Sequence, residues 1–494
     1  MMKKKVGSNT FKPGMLLCVI CLLAAHLSAQ NNVTINWDQI VRESKTTPTL
    51  QVVVNPRLVR GANIHGGSFN ALKNLGADYV RFVPWFPYPH MAVAELKPPT
   101  DKETFWDFSK IDPIVEDFMN ATQGHSVTMN FSTIPNWMFK TDQPVVVPAD
   151  ANQVFWDYNG GTELRDTTMK ELVDYFVNLL SWYTKGGFTD ELGKYYPSTH
   201  HYNFSYWEVL NEPDLEHNIS PQLYTKMYDA IVTGMKKVAP ETKFIGLSLA
   251  YSNNPEWFEY FLNPANHTKG IEPEGISYHF YGEKNYDLQN IDTYQYSFFN
   301  QADGFLNKVR YIESIRKRLS PKTFTTINEI GNILSRDGDK PISPAYWNLS
   351  GAMYAYIYVV LANIGIDVAG ESQLVGYPTQ FPSVSMMNWI TGKPNSRFWV
   401  LKLLKDNFGP GDKLVAANVN TALVKVQGFI TGKGKKLLLI NKSDKPVQLM
   451  LPADAKNATV QYVDGSTADN PPAQRKLQNN QLLLKPFAVA VIQF

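Results

Sequence analysis

The chain has 494 residues, 44% of them hydrophobic and 19% charged, with a formal net charge of +2. That length exceeds what one ordinary core holds, so two domains are expected, and the composition excludes a disordered chain. The near-neutral charge balance gives no basis for binding nucleic acid or an acidic membrane surface.

At the start, Lys3, Lys4 and Lys5 precede an apolar run over residues 15–27 that is short for a bilayer span. Small and polar residues follow at Ser28, Ala29 and Gln30. Residues 1–30 therefore read as a signal peptide, and the protein as secreted or periplasmic. Both cysteines, Cys18 and Cys21, fall inside this segment, where Leu17 and Ile20 precede them instead of the small residue of a lipobox. A mature chain without cysteine has no disulfide framework, thiolate metal site or cysteine nucleophile.

Residues 31–55 are strand-like and could return to a second domain. From 56 to 408, strand-like and helix-like segments alternate. The strand candidates are 58–64, 79–84, 126–131, 206–210, 243–249, 275–280, 324–327 and 366–370. Helical spacing marks 69–75, 111–123, 169–184, 221–238, 255–262, 303–319, 346–363 and 397–408. In 169–184, Leu172, Phe176, Leu179, Leu180 and Tyr183 fall close to one face; 221–238 opens with Ser220 as cap and Pro221 at the first helical position. Eight strands alternating with helices predict a parallel α/β architecture closed into a (β/α)8 TIM barrel. After Gly409-Pro410-Gly411 the texture changes. Short β-rich segments at 414–419, 423–430, 436–440, 447–451, 458–463 and 482–494 predict an antiparallel β-sandwich over 409–494, read as a buttress for the barrel.

In such a barrel, functional residues sit at the C-terminal ends of strands. Two candidate strands end alike. The fourth runs Tyr206-Trp207-Glu208-Val209-Leu210-Asn211-Glu212-Pro213, and the seventh Phe324-Thr325-Thr326-Ile327-Asn328-Glu329-Ile330-Gly331. Each carries a carboxylate to the point where an apolar strand leaves the core, a costly place for charge unless something uses or pairs it. A salt bridge to Lys or Arg is the plain alternative for either. Glu208, three residues before Asn211, faces the side of that strand's other even-numbered positions and reads as structural.

An Asn-Glu-Pro closing the fourth strand and a Glu closing the seventh resemble the pattern of the clan A glycoside hydrolases. Within that clan, the phrases at 206–214, 275–281 and 328–331, with the trailing β-sandwich, look most similar to family 39, the β-xylosidase and α-L-iduronidase group. The resemblance implies retaining cleavage, with Glu212 as general acid/base and Glu329 as nucleophile. Such chemistry needs two carboxyls: one protonates the departing oxygen, and the other attacks the anomeric carbon from about 5–5.5 Å away. The resemblance further implies that Arg81 holds the nucleophile ionised, a role suited to its forked donor. It implies that Asn211 takes the sugar 2-hydroxyl, and that His279 and Tyr281 touch the nucleophile or the sugar. His65, at the end of the first predicted strand, could line the sugar site or be a capped, solvated histidine. Asn130 and Trp137 flank the exit of the third strand as further candidates.

The sequence departs from the clan in one place. Members often present a Trp at the end of strand eight as a platform for the sugar. Here that region reads Val368-Ala369-Gly370-Glu371-Ser372-Gln373-Leu374. Trp347 and Trp389 are the substitutes considered, and Glu371 reads as a solvated loop charge. Aromatics, at 13% of the chain, suit a cleft that stacks on sugar rings and suit ordinary core packing equally. No metal-ligand spacing, dinucleotide loop or phosphate loop is present, so no metal or cofactor is expected.

Three readings follow. The first is a retaining glycosidase of family 39 type acting on a β-xyloside or related glycan. The second is an α-L-iduronidase-like or other uronic-acid-releasing enzyme, which needs basic side chains near the sugar carboxylate. The third is a non-catalytic carbohydrate-binding protein on a barrel scaffold, which loss of either glutamate would have favoured. All three take an oligo- or polysaccharide as partner, with no nucleic acid and no membrane span in the mature chain.

Overall fold

The computed structural model describes residues 31–158, 161–283, 290–334, 342–376 and 381–494. The candidate signal peptide lies outside them. Eight parallel strands close into a barrel: Thr47–Val53, Val80–Val83, Val127–Met129, Tyr206–Glu208, Lys243–Leu249, Gly275–Gly282, Phe324–Asn332 and Val368–Glu371. The eighth pairs with the first in register from Val368 with Thr47 to Glu371 with Leu50, which seals the ring. Helices follow the strands in turn, at His65–Leu75, Asp112–Ala121, Lys170–Lys185, Pro221–Val238, Pro255–Phe261, Ile291–Leu319, Pro344–Ile364 and Ser396–Asn407.

The first strand is not where the sequence pointed. Residues 58–64 hold no strand; Pro56–Leu58 is a 3-10 turn, and the helix begins at His65. Thr47–Val53 opens the barrel instead, and only Asn31–Glu43 leaves for the sandwich, pairing antiparallel with Lys413–Val419. The strand-like stretch 31–55 thus divides between the two domains, its first part in the sheet and its second in the barrel. The helix over 303–319 also starts early, at Ile291, where Thr293 Oγ1 accepts the Asn290 N–H at 2.9 Å.

The sandwich is one curled sheet of nine strands. Asn31–Glu43 joins Lys413–Val419, Val424–Thr431, Gly434–Asn441, Val447–Met450, Thr459–Val463, Ala473–Lys476, Gln481–Leu484 and Val489–Gln493. The predicted strand at 482–494 splits in two around Pro486, with Phe487 at a left-handed φ of 52°. Strand alternation shows how the domains join. In Gly434–Asn441, Leu437 and Leu439 pack into the sandwich's own core, while Leu438 and Ile440 belong to the barrel's core. Helix Pro344–Ile364 lies between, touching barrel strands on one side and sheet strands on the other. It is apolar nearly all round, as a helix buried on every side must be. At roughly 1.5–3 kcal/mol for each buried Leu or Ile, this seam fixes the barrel's last two helices against the sheet. Among the described residues, no helix is long and apolar enough to cross a membrane.

Candidate active site

Both glutamates sit at the same end of the barrel, but the backbone delivers them differently. After Tyr206–Glu208 the chain turns sharply, with Leu210 at φ 64° and Glu212 at φ 43°. Left-handed conformations in residues other than glycine cost about 1–3 kcal/mol each and persist only where neighbours enforce them. Here the Glu212 N–H donates to the Ser248 carbonyl at 2.9 Å, and Asn130 Nδ2 donates to the Leu210 carbonyl at 2.9 Å. Glu329 needs no such turn. It lies within the strand Phe324–Asn332, in register with His279 of its neighbour.

Arg81, only 1% exposed, ties the site together. Its Nη1 donates to Glu329 Oε1 and to Gln51 Oε1, each at 2.6 Å. Its Nη2 reaches Asn211 Oδ1 at 2.7 Å and Ser248 Oγ at 3.0 Å, and its Nε reaches Glu208 Oε2 at 2.5 Å. Glu208 also accepts from Asn130, Asn328 and Ser277 at 2.5–2.6 Å, so it is the buried counter-charge that anchors the arginine. Tyr281 donates to the other oxygen of Glu329 at 2.6 Å and meets Ser372 Oγ at 2.6 Å. His279 bridges the pair, with Nδ1 2.8 Å from Glu212 Oε1 and Nε2 3.5 Å from Glu329 Oε1. Oxygens of Glu212 and Glu329 lie within 4.8 Å of each other.

The two carboxyls differ in proton affinity. Burial pushes Glu212 up, and the nearby Glu329 charge pushes the same way; the His279 hydrogen bond only partly opposes them. Burial pushes Glu329 up too, but His279, Arg81 and Tyr281 together overcome it and hold this carboxyl below its ordinary range. Burial lowers His279, yet the Glu329 charge and the bond to Glu212 outweigh that and raise it. One carboxyl is thus poised as an acid and the other as an anion, the division of labour that paired environments create.

The glutamates open onto a cavity of roughly 610 Å³. Its mouth gathers large apolar side chains that stay exposed, namely Trp156, Leu215, Tyr251 and Phe381. Trp85, Trp156 and Phe381 form an aromatic wall, with Trp156 centred 5.5 Å from Trp85 and 6.3 Å from Phe381. Exposed apolar surface concentrated in one place marks a binding site. A third carboxyl, Glu216, also lines the cavity. Its Oε1 takes Trp85 Nε1 at 2.7 Å and Asn211 Nδ2 at 2.8 Å. Burial and the neighbouring Glu212 push Glu216 well above the usual carboxylate range.

The structure brings Glu212, Glu329, Arg81, Asn211, His279 and Tyr281 into one cluster. His65 stands apart: with the first strand ending at Val53, it begins a helix and places Nε2 2.9 Å from Asp117 Oδ2. Asn130 lies beneath the cavity on Glu208, and Trp137 donates to the Glu95 carbonyl at 2.9 Å. Trp347 and Trp389 do not line the cavity; Gln373 does, at the end of strand eight where a Trp was sought. Glu371 is not a solvated charge. It is fully buried and takes Arg397 Nε at 2.9 Å, and burial pushes it up to about 7. Sequence reasoning missed Glu216, Gln51, Ser248, Trp85 and Trp156. Only Glu216 had a local signal, one helical turn beyond Glu212.

Glu212, His279 and Glu329 have the donor types of a metal site. The arrangement does not fit one. The Glu329 oxygen nearest His279 already accepts the Arg81 guanidinium, so a metal ion there would face a fixed positive charge.

No protein-family model and no curated protein matches the chain. Solved structures do. A GH51 arabinofuranosidase from Xanthomonas axonopodis pv. citri aligns with a TM-score of 0.63 at 11% identity, over 94% of this chain and 100% of its own. A GH30 endoxylanase from Clostridium papyrosolvens gives 0.60 at 14%, over 93% and 99%. A GH39 β-xylosidase from Caulobacter crescentus gives 0.58 at 15%, over 93% and 99%. At these identities the likeness establishes the fold, a TIM barrel carrying a β-sandwich.

Proposed function

We propose that this protein is a retaining glycoside hydrolase in which Glu212 is the general acid/base and Glu329 the nucleophile. One observation carries the reading: two carboxyls at the cavity floor, with oxygens within 4.8 Å, have proton affinities pushed in opposite directions. Inverting enzymes hold their carboxyls about 6.5–9.5 Å apart to admit a water, and retaining ones about 5–5.5 Å apart. In the first step Glu329 forms a bond to the anomeric carbon while Glu212 gives its proton to the departing oxygen. In the second, Glu212 takes a proton from water, which attacks the same carbon and releases Glu329. Arg81 and Tyr281 bind both oxygens of Glu329, orienting it and favouring its anionic form.

The substrate we propose is a neutral glycan, with a β-xyloside as the first choice. Among the described residues lining the cavity there is no Lys or Arg, while Glu216 and Glu283 add acidic groups. That lining disfavours a uronic acid, whose carboxylate needs a basic partner. The solved structures named above, an arabinofuranosidase, an endoxylanase and a β-xylosidase, are in keeping with a pentose or a related neutral sugar. We also propose that the chain is exported and the leader removed after the Ser28-Ala29-Gln30 region, which N-terminal sequencing of the mature protein would test.

The functional test is release of 4-nitrophenol from aryl xyloside, arabinoside, glucoside, galactoside and uronide. Activity on one neutral sugar, lost in Glu329→Ala, supports the assignment. Silence on the whole panel and on polysaccharides would return the carbohydrate-binding reading in its place.

A further inference from the structure

We infer that Gln51 and Ser372 are positioning residues for Glu329: they carry the direction of the Arg81 donors around a closed ring of hydrogen bonds and so aim the Tyr281 hydroxyl at the carboxylate. The inference rests on the reading of Glu329 as the nucleophile. The ring is assembled from the ends of different barrel strands. Arg81 Nη1 donates to Gln51 Oε1 at 2.6 Å, and Gln51 Nε2 donates to Ser372 Oγ at 2.8 Å. Ser372 Oγ lies 2.6 Å from the Tyr281 hydroxyl, which reaches Glu329 Oε2 at 2.6 Å. Arg81 Nη1 closes the ring on Glu329 Oε1, also at 2.6 Å.

Each direction is forced by the one before it. A guanidinium has only donors, so the Gln51 atom facing it is the carbonyl oxygen, and the amide hydrogens point at Ser372. The Ser372 oxygen accepts that bond and gives its own hydrogen to the Tyr281 oxygen. The Tyr281 hydrogen is then left for Glu329. Turning the phenol round would set its lone pairs against a carboxylate oxygen 2.6 Å away. It would also leave the Ser372 hydrogen with no acceptor among the described residues, a costly state for a buried group. The relay starts at a residue that cannot accept, so it does not run backwards.

Ser372 is built to serve this way. It is fully buried just beyond the eighth strand, where the sequence departs from the clan pattern. Its N–H donates to the Ile330 carbonyl at 2.9 Å, and its own carbonyl accepts Arg397 Nη2 at 2.5 Å. The backbone is therefore pinned on both sides, and the hydroxyl is what remains to turn. A phenol that accepts one hydrogen bond donates the next more strongly, so the relay strengthens the hold on Glu329. The other charged groups around Glu329 are Arg81, His279, Glu212 and Glu216, with Glu371 of the adjoining strand paired to Arg397. None of these bonds the Ser372 hydroxyl, and the shortest path from it to Glu329 runs through Tyr281.

The test is a carbon-13 NMR titration of the full chain labelled at the glutamate carboxyls, with the Glu329 signal identified by its absence from Glu329→Gln. Wild type, Ser372→Ala, Tyr281→Phe and the double variant form a cycle. Ser372→Ala is expected to tighten the proton on Glu329 by roughly threefold, part of the roughly tenfold expected of Tyr281→Phe. The double variant should match Tyr281→Phe alone, because the relay reaches Glu329 through that phenol. Thermal melts check that each protein folds. If Ser372→Ala melts early, Gln51→Met takes its place, and its shift should shrink in the Tyr281→Phe background; a shift of equal size in both backgrounds overturns the relay. A Glu329 midpoint that ignores Ser372→Ala, or shifts that add in full, makes Ser372 a packing residue and overturns it too. A midpoint that follows the cycle in a protein that cleaves no glycoside keeps the relay and removes the hydrolase reading. Turnover with a midpoint indifferent to Ser372→Ala removes the relay alone.

Discussion

The ends of the fourth and seventh barrel strands carry the same dipeptide, Asn-Glu, and treat it in opposite ways. At the seventh, Glu329 stays in an extended strand and is bound at both oxygens, by Arg81 at one and Tyr281 at the other. At the fourth, Glu212 stands on a left-handed turn; among the described residues its one side-chain partner is His279, and no arginine bonds it. Desolvation raises the proton affinity of both, so it does not set them apart. The cation and the phenol do. Location on the barrel brings a carboxyl to the cleft; its partners decide whether it holds a proton.

The sharpest way to break this contrast is to remove the anionic member. Glu329→Ala is expected to lower kcat for aryl glycosides by on the order of 10⁴-fold or more, as removal of a nucleophile does elsewhere. Near-normal rates would remove the nucleophile assignment. Glu212→Ala is expected to cost about 10²–10⁴-fold on substrates with poor leaving groups, and much less on dinitrophenyl glycosides, whose departure needs no proton. Equal losses on both would contradict the acid role.

Arg81 tests the cause of the contrast. Arg81→Met leaves Glu208 and Glu329 buried without their cation, so a stability loss of about 3–5 kcal/mol is expected in urea unfolding. Arg81→Lys keeps the charge but loses the fork, and the depressed proton affinity of Glu329 should rise toward normal. The sign follows from linkage. A carboxyl held low in the folded state stabilises the protein above its unfolded value, and that stability disappears as pH falls through the folded value. The Lys variant should therefore lose stability, and the acid limb of its rate profile should begin, at a higher pH than in the wild type. Coincident profiles would show that Arg81 does not set the state of Glu329. Tyr281→Phe is the smallest change. It removes one hydrogen bond to Glu329, worth about 0.5–1.5 kcal/mol, or up to about 3 kcal/mol for a bond to a charged group. It should move the same acid limb upward by less than Arg81→Lys does.

How much of this could be read from the sequence depends on how local the signal was. Strand–helix alternation from 79 onward and the β-rich tail after Gly409 are periodic features, and the fold follows them. The first strand was placed wrongly because 58–64 offers an apolar run of its own, and nothing local shows that the strand-like stretch 31–55 divides between the sheet and the barrel. That error carried His65 with it, since a residue placed at a strand end proved to start a helix. Glu371 was misread for a different reason. Its partner Arg397 lies 26 positions on, in the following helix, and no local pattern announces the pair. The same holds for Gln51, Ser248 and the aromatic wall, which the barrel assembles from distant strands and loops. Motifs located the two glutamates; the network that sets them apart appears only when the strands close.

The most direct measurement of the central claim is the anomeric configuration of the first-formed product, followed by proton NMR on the substrate the aryl panel selects. Carboxyl oxygens within 4.8 Å are closer than the roughly 6.5–9.5 Å of inverting enzymes, so the first product should keep the configuration of the substrate. Inversion would mean that Glu329 activates water in place of attacking carbon, and would contradict the account.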